Sequence, residues 1–523
     1  MLVKDSWGHY LEQAFQENLN RIALVDVSHN ARYSYRDLHR QIQMFEKALV
    51  GYGISKGTHV ALLFPSSATW IVAFLALIRI GAVPVCLNQE STDGEIRRLV
   101  LHSDSRIIIT DEETYVKVRL HEEEMDLKKV VIIDRKGYCS EKLHCSIDTF
   151  LEYGRDVSEE RVNISRSEVN YDDILAIQYT SGTTGLPKAV MSVHYKVLSN
   201  VILFRDIFKY TKEDKIFSSL PMYHMMGCFF SCLLTFITGG SLILMSHYKT
   251  NKAIQALIDE ECTSFHSVPT MFKLIINKIG DRKFTNLNKC MIAGSYCEPE
   301  VMKEIKDKLG IQHIFPAYGQ SEGNGYTQIR MGDPIEKMLN TVGRPVHGVE
   351  IKVVDQHLRE VPPYTEGELV VRSDYMMAGY YKDQEATSKL IKDDWIYTGD
   401  LGKVDEEGYV MITGRKKDII VRAGENISPL EIEATLRESE EIKDVVVVGV
   451  SDEIMGQEIG ACIILEDQAK SLQEEVVEKK IAEYMTKKLA KHKRPKYIKF
   501  VESFPLTGSG KIQKTKLAQT MFG

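Results

Sequence analysis

VALLFPSSATWIVAFLALIRIGAVPVCL, residues Val60 to Leu87, is the stretch from which the fold can be read. Val60 to Phe64 is an apolar run of strand length that stops at Pro65 and Ser66. The apolar residues that follow run on to Ile80, a helical length, and Val83 to Leu87 is a second strand-length run. Strand, helix, strand in that order is a βαβ unit, whose two strands lie parallel and whose helix covers one face of the sheet. The apolar block Trp70 to Ile78 has nine residues, where a membrane-spanning helix needs about 20.

The same rhythm extends in both directions. On the N-terminal side Ser34 and Asp37 have capping-box spacing, and Leu38, Ile42, Phe45 and Leu49 recur at helical intervals until Gly51 and Gly53. On the C-terminal side strand-like runs return at Arg106 to Thr110, Val130 to Ile133, Ser241 to Met245 and around Ile292, which predicts parallel sheets covered by helices. From Val349 to Val371 the short alternating runs VEIKVVD and GELVVRS predict a smaller β subdomain, spanning about 345–415. Beyond Arg415 the order is helix, strand (Val445 to Val450), strand (Ile459 to Leu465), helix (Glu474 to Leu489), strand (Ile498 to Val501). The fold class expected is therefore α/β: a large N-terminal domain of helix-covered sheets with a β subdomain, residues 1–415, then a small α+β domain, 416–523. The linker is placed at Arg415 to Asp418.

With 523 residues, 44% hydrophobic and 27% charged, the chain can bury more than one core and is neither disordered nor fibrous in character. A formal charge of −7 with both signs interspersed gives no reason to expect nucleic acid or an anionic membrane as partner, and a small molecule fits better. The nine cysteines are odd in number and contain no CxxC pair, so neither a disulfide framework nor a zinc site is expected. Lys4, Asp5, His9 and Glu12 break the start of the chain, which does not read as a signal peptide. The expectation is a soluble cytoplasmic protein with no integral membrane segment, compatible with a homodimer.

The chemistry begins after the apolar strand Ile174 to Tyr179. Thr180, Ser181, Gly182, Thr183, Thr184, Gly185, Leu186, Pro187 and Lys188 follow, six of the nine being Gly, Ser or Thr, with Lys at the end. Such a loop can turn N–H groups and hydroxyls toward phosphate oxygens while the Lys adds a point charge. It lacks the GxxxxGK spacing of a Walker loop, and taken alone a plain Ser/Gly turn remains the alternative.

The run YTSGTTGLPKAV, however, resembles the phosphate-binding motif of the adenylate-forming enzyme superfamily, which includes acyl-CoA synthetases, luciferases and the adenylation domains of peptide synthetases. Further motifs stand in that family's order: Pro221 to His224 (PxxH), Tyr318 to Glu322 (YGxTE) and Tyr397 to Asp400 (TGD). Gly414 to Asp418 matches the hinge motif, Gly424 to Ile427 the thiol-channel loop and Gly508 to Lys511 the terminal SGK motif. The resemblance runs from about Ser34 to Lys514, and although each motif alone is weak, seven in order are specific.

This resemblance implies ATP-dependent activation of a small-molecule carboxylic acid to an acyl-adenylate, with pyrophosphate release and then acyl transfer to coenzyme A. Joining two anions requires positive charge at the transition state, which the family pattern assigns to Lys511, brought close by Gly508, Ser509 and Gly510. Glu322, with Thr184, is the implied Mg²⁺ site, a hard cation that takes oxygen ligands. Thr184 and Lys188 are expected on the β and γ phosphates, Tyr318, Gly319, Gln320 and Ser321 on the nucleotide, and Asp400 and Arg415 on the ribose. His224, among Met222, Met225, Met226, Phe229 and Phe230, is expected to border the carboxylate; core packing is the ordinary fate of such a stripe. Gly294 is implied as the pocket floor, Gly424 as part of the CoA channel, and Lys417 as the hinge that makes the C-terminal domain mobile.

Two positions depart from the pattern: Ser321 stands where Thr is usual, and Ala423 replaces the first of two glycines before Glu425. The ending PLTGSGKIQK and the internal stretch NTVGRP, Asn340 to Pro345, are similar to those of acyl-CoA synthetases for fatty and related acids. The rivals are an adenylating enzyme that loads a carrier protein, a luciferase-like oxygenase and an inactive ligand-binding paralogue. Residues 221–227 hold no acid to grip an α-amino group, which disfavours an amino acid substrate, and the retained Lys511, Glu322 and Asp400 speak against an inactive paralogue. The basic run Lys487 to Arg494 reads either as a solvated helix end or as a seat for the 3′-phosphate of CoA.

Overall fold

A computed structural model describes residues 2–134, 143–180, 187–423, 425–508 and 510–523. The chain divides into two compact units, Met1–Glu350 with Arg372–Ile396, and Ile351–Val371 with Tyr397–Gly523. No helix among the described residues is long and apolar enough to cross a membrane.

The βαβ reading of Val60 to Leu87 holds: strand His59–Leu63 and strand Val83–Cys86 pair in parallel, with Leu62 opposite Cys86. Ser67 caps the helix Ala68–Arg79 between them by accepting from the Trp70 N–H. These strands lie inside a seven-stranded sheet in the order His144–Ser146, Lys129–Ile132, Ile107–Thr110, His59–Leu63, Val83–Cys86, Ile174–Thr180, Lys188–Val193. All its pairs are parallel except the last, so a hairpin closes one edge. A nine-stranded sheet carries the rest of the first unit, with parallel strands in its middle and antiparallel hairpins at both ends.

Four helices of this unit meet at a buried knot of charge. Arg79 bonds Glu46 of the helix Tyr35–Tyr52 and Glu12 of the helix Trp7–Asn18, each at 2.7 Å, and Arg166 of the helix Glu159–Ser167 bonds Glu46 from the other side. His39 adds a contact to Glu12 at 3.0 Å. Glu46 is 0% exposed and Arg79 3%, so each charge depends on its partners rather than on water. The His39 contact first, then Gln16 and Arg79, hold the Glu12 carboxyl well below the usual carboxylate range.

In the second unit the run Val445–Val448 shows why an unbroken apolar stretch can be a strand. Val445 and Val447 pack with Ile432, Leu436 and Ile481 of the helices Pro429–Arg437 and Glu474–Lys488. Val446 and Val448 face the other way, onto Leu517 of the helix Lys514–Phe522. Both faces of the strand Ile442–Asp452 are covered, so alternation is lost. The expected helix and strands of the C-terminal part are present, joined by two elements not anticipated, the closing helix Lys514–Phe522 and the hairpin Ile420–Arg422 with Glu425–Ile427.

Candidate active site

The strands Ile174–Thr180 and Lys188–Val193 pair antiparallel with Thr180 opposite Lys188, which sets these two at the base of the Gly/Ser/Thr loop. Ser181, Gly182, Thr183, Thr184 and Gly185 lie outside the described residues, as do Gly424 and Ser509. Along the free edge of Lys188–Val193 runs the segment 377–381. The Ala378 N–H donates to Met191 O at 2.9 Å, the Met191 N–H to Gly379 O at 3.1 Å and the Tyr381 N–H to Ala189 O at 2.8 Å. The Tyr380 ring is thereby fixed beneath Lys188, whose Nζ sits 4.9 Å from the ring centroid.

Glu322 is placed by a hairpin. His313–Gln320 and Asn324–Gln328 pair antiparallel with Gly319 opposite Gly325 and Gln320 opposite Asn324, so 321–323 form a tight turn with Glu322 at its tip. Asn324 takes φ +61°, and its side-chain amide donates to Tyr375 O at 2.7 Å. Gly319 has no room for a side chain: a Cβ there would lie 2.3 Å from Asn324 O. Tyr318 stands edge-on to Tyr326, their centroids 5.4 Å apart, while Gln320 and Ser321 are half-buried beside the turn.

Segment 377–381 reaches this turn as well. The Met377 N–H donates to Glu322 O at 2.8 Å, and the Tyr380 hydroxyl donates to Glu322 Oε1 at 2.7 Å. Burial first, and the Glu322 charge next, push the Tyr380 phenol far up, so it remains a donor. Among the described residues no Lys, Arg or His pairs with Glu322. A carboxylate oriented by a neutral donor rather than by a cationic side chain suits a hard cation such as Mg²⁺.

His224 lies on the segment after the strand Lys215–Ser218. Gln178 donates to Tyr223 O at 3.2 Å and Ser66 Oγ accepts from the Met222 N–H at 2.9 Å, tying this segment to the seven-stranded sheet and to the first βα turn. The His224 ring caps the turn Met225–Gly227, Nδ1 accepting from the Met226 N–H at 3.3 Å, which in the neutral ring puts the proton on Nε2. Gly227 is obligatory there, since a Cβ would lie 2.3 Å from Pro221 O. A π-helical turn, Cys228–Leu233, follows, with Ser231 Oγ 3.2 Å from Nδ1 of the buried His266 and the Tyr210 hydroxyl 2.7 Å from its Nε2. Burial pushes His266 down to about 3. Gly294, just past the strand Lys289–Ile292, is exposed at φ +91°.

In the second unit Asp400 and Arg415 stand directly opposite on paired strands, Arg415 Nε 2.8 Å from Asp400 Oδ1, with Asp400 buried and Arg415 half-exposed. Lys417 is exposed within one 3₁₀ turn, Lys416–Asp418, and its neighbour Lys416 reaches Glu368 at 2.8 Å. Lys511 closes a turn in which Thr507 accepts from the Lys511 N–H at 3.0 Å and Gly510 takes φ +80°. Asp400 and Arg415, expected on the same sugar, thus stand together in the second unit, and in the first unit the structure adds a meeting the sequence did not predict, Lys188 and Glu322 on one tyrosine. That tyrosine, Tyr380, carries no signal in the sequence beyond a Gly-Tyr-Tyr after a short strand.

Residues 11–381 match the family described as AMP-binding enzyme, and residues 431–511 match the AMP-binding enzyme C-terminal domain. The chain is 33% identical to YngI of Bacillus subtilis (strain 168), over 99% of this chain and 97% of that protein. It is 29% identical to the medium-chain fatty-acid–CoA ligase of Escherichia coli (strain K12), over 97% of this chain and 89% of that one. Among solved structures, an ATP-bound RpMatB–BxBclM chimera, B3, has a TM-score of 0.87 at 25% identity, covering 98% of each chain.

Proposed function

The chain belongs to the AMP-binding enzyme family and is an AMP-forming acid–thiol ligase; we propose that it activates an aliphatic acid of medium length in the cytoplasm. The carboxylate oxygen attacks the α-phosphorus of ATP, the bond to the bridging oxygen breaks and pyrophosphate leaves; the thiolate of coenzyme A then attacks the acyl carbon and AMP leaves. The observation that carries this reading is the meeting of Lys188 and Glu322 on the hydroxyl and ring of one tyrosine. A fixed cation for phosphate and a free carboxylate for a hard cation stand side by side, as a triphosphate site requires.

Within this reading Lys188 and Thr184 grip the β and γ phosphates, and Glu322 with Thr184 would hold Mg²⁺, which would neutralise phosphate charge when bound. Lys511 donates to the developing charge in the first step. Asp400 and Arg415 share the ribose hydroxyls: a buried aspartate already aligned by a cross-strand arginine is suited to accept from a diol. His224, its ring held at Nδ1, presents Nε2–H toward the acid, and Gly294 and Gly424 border the acyl chain and the pantetheine arm. Lys417, exposed in its single 3₁₀ turn, is the pivot about which residues 418–523 turn between the two steps.

The test is an assay of AMP, pyrophosphate and thioester with ATP, CoA and short, medium, long and aromatic acids. Acid-dependent AMP release, with thioester only when CoA is added and a maximum at medium length, is expected. ADP as product, or AMP without thioester, overturns it.

A further inference from the structure

Lys188 and Glu322 carry opposite charges within one side chain's reach of each other, and among the described residues they do not pair. The body between them is Tyr380: its ring face lies under the ammonium at 4.9 Å and its hydroxyl meets the carboxylate at 2.7 Å. We propose that Tyr380 is a positioning residue of the adenylation step, aiming Glu322 with its hydroxyl while its ring holds Lys188 apart from that carboxylate. This inference rests on the ligase reading above.

The ring has no freedom to leave this place. Its backbone bridges Val190, its N–H donates to Thr387 Oγ1 at 2.9 Å, and the residues on either side are bonded to Ala189 and Met191. With Tyr380 4% exposed and packed with Val190 and Met377, a phenylalanine would serve the core equally well. The hydroxyl is therefore surplus to packing, and among the described residues the partner it meets is the carboxylate expected to hold the metal. A small aliphatic residue in its place would let Lys188 and Glu322 close into a direct ion pair. Each charge would then be neutralised by the other instead of facing phosphate and cation. The cation–π seat holds the ammonium without cancelling it.

The test measures ATP binding by titration calorimetry over a range of Mg²⁺ concentrations, with thermal melts to confirm folding. For Tyr380→Phe the expected result is wild-type affinity for metal-free ATP, since the ring remains, but a Mg²⁺ requirement raised about tenfold to a hundredfold, the worth of one hydrogen bond to a charged group. Mn²⁺, which binds oxygen and nitrogen sites more tightly, should narrow that gap. Tyr380→Leu should also weaken metal-free ATP binding, and adding Glu322→Gln to it should restore that binding by dissolving the new ion pair. An unchanged Mg²⁺ requirement in Tyr380→Phe, or no restoration in the double variant, overturns the proposal. If the wild-type protein binds ATP but forms no AMP with any acid, the ligase reading fails instead, and the variants' binding still reports on Tyr380.

Discussion

Gly294 holds φ +91°, a conformation that costs other residues about 1 kcal/mol, so a substitution there changes two things at once. Gly294→Leu is expected to lower turnover of all acids through strain and, beyond that, to disfavour longer acids by a further tenfold to hundredfold as methylenes lose their place. Turnover ratios across a chain-length series separate the two, and a uniform fall would remove Gly294 from the pocket. Lys511→Ala is expected to slow acyl-adenylate formation by about two to three orders of magnitude, roughly 3–4 kcal/mol, while thioester formation from supplied acyl-adenylate survives. Equal loss in both half-reactions would contradict the role given to this lysine. At this scale the sequence showed which residues carry charge but not which neighbours they meet. The pairing of Asp400 with Arg415 depends on a strand register, and the contact of Tyr380 with Glu322 spans 58 positions.

Elements were legible where several local signals agree. Ser34 and Asp37 do form a capping box, and Gly53 ends that helix in the left-handed region, as their spacing predicts. The helix Lys514–Phe522 was not legible because it has no side-chain cap and only nine residues, and it owes its place to Leu517 docking on a strand far away in sequence. The hairpin around 423 hides for a similar reason, each of its strands having three residues. Its turn puts Ala423 at φ +50°, where the related pattern has glycine. Ala423→Gly is therefore expected to raise the stability of the second unit by about 0.5–1 kcal/mol, read as a higher thermal midpoint; a lower midpoint would mean the turn is unstrained. Gly319→Ala has the opposite sign. Its Cβ would press on a backbone oxygen that cannot move without opening the hairpin, so ATP affinity and thermal midpoint should fall together.

For the molecule as a whole, the α/β class and the order of motifs could be read from one chain because each rests on short-range pattern. The two compact units could not, since the chain passes between them three times, at 350/351, 371/372 and 396/397. If residues 418–523 turn about Lys417, the bond from Ser428 Oγ to Thr413 O, 3.2 Å, must break within the second unit. Lys417→Pro should then spare acyl-adenylate formation and impair thioester formation, measured as separate half-reactions. Acid should weaken the fold early. His194 and His266 are wholly buried and pushed down to about 4 and 3, so below the ordinary histidine value the unfolded chain takes up protons the folded one refuses. Stability is full above about pH 6.5 and is lost as pH falls toward those values; a thermal midpoint unchanged between pH 7 and 5 would contradict this. The knot of Glu12, Glu46, Arg79 and Arg166 has a consequence of another kind. Deleting one member strands a charge at a cost of about 3–5 kcal/mol, whereas exchanging the whole set for apolar residues can cost nothing. Inheritance should therefore treat these four positions as a single character: descendants keep the quartet or lose it entire, with few surviving halfway.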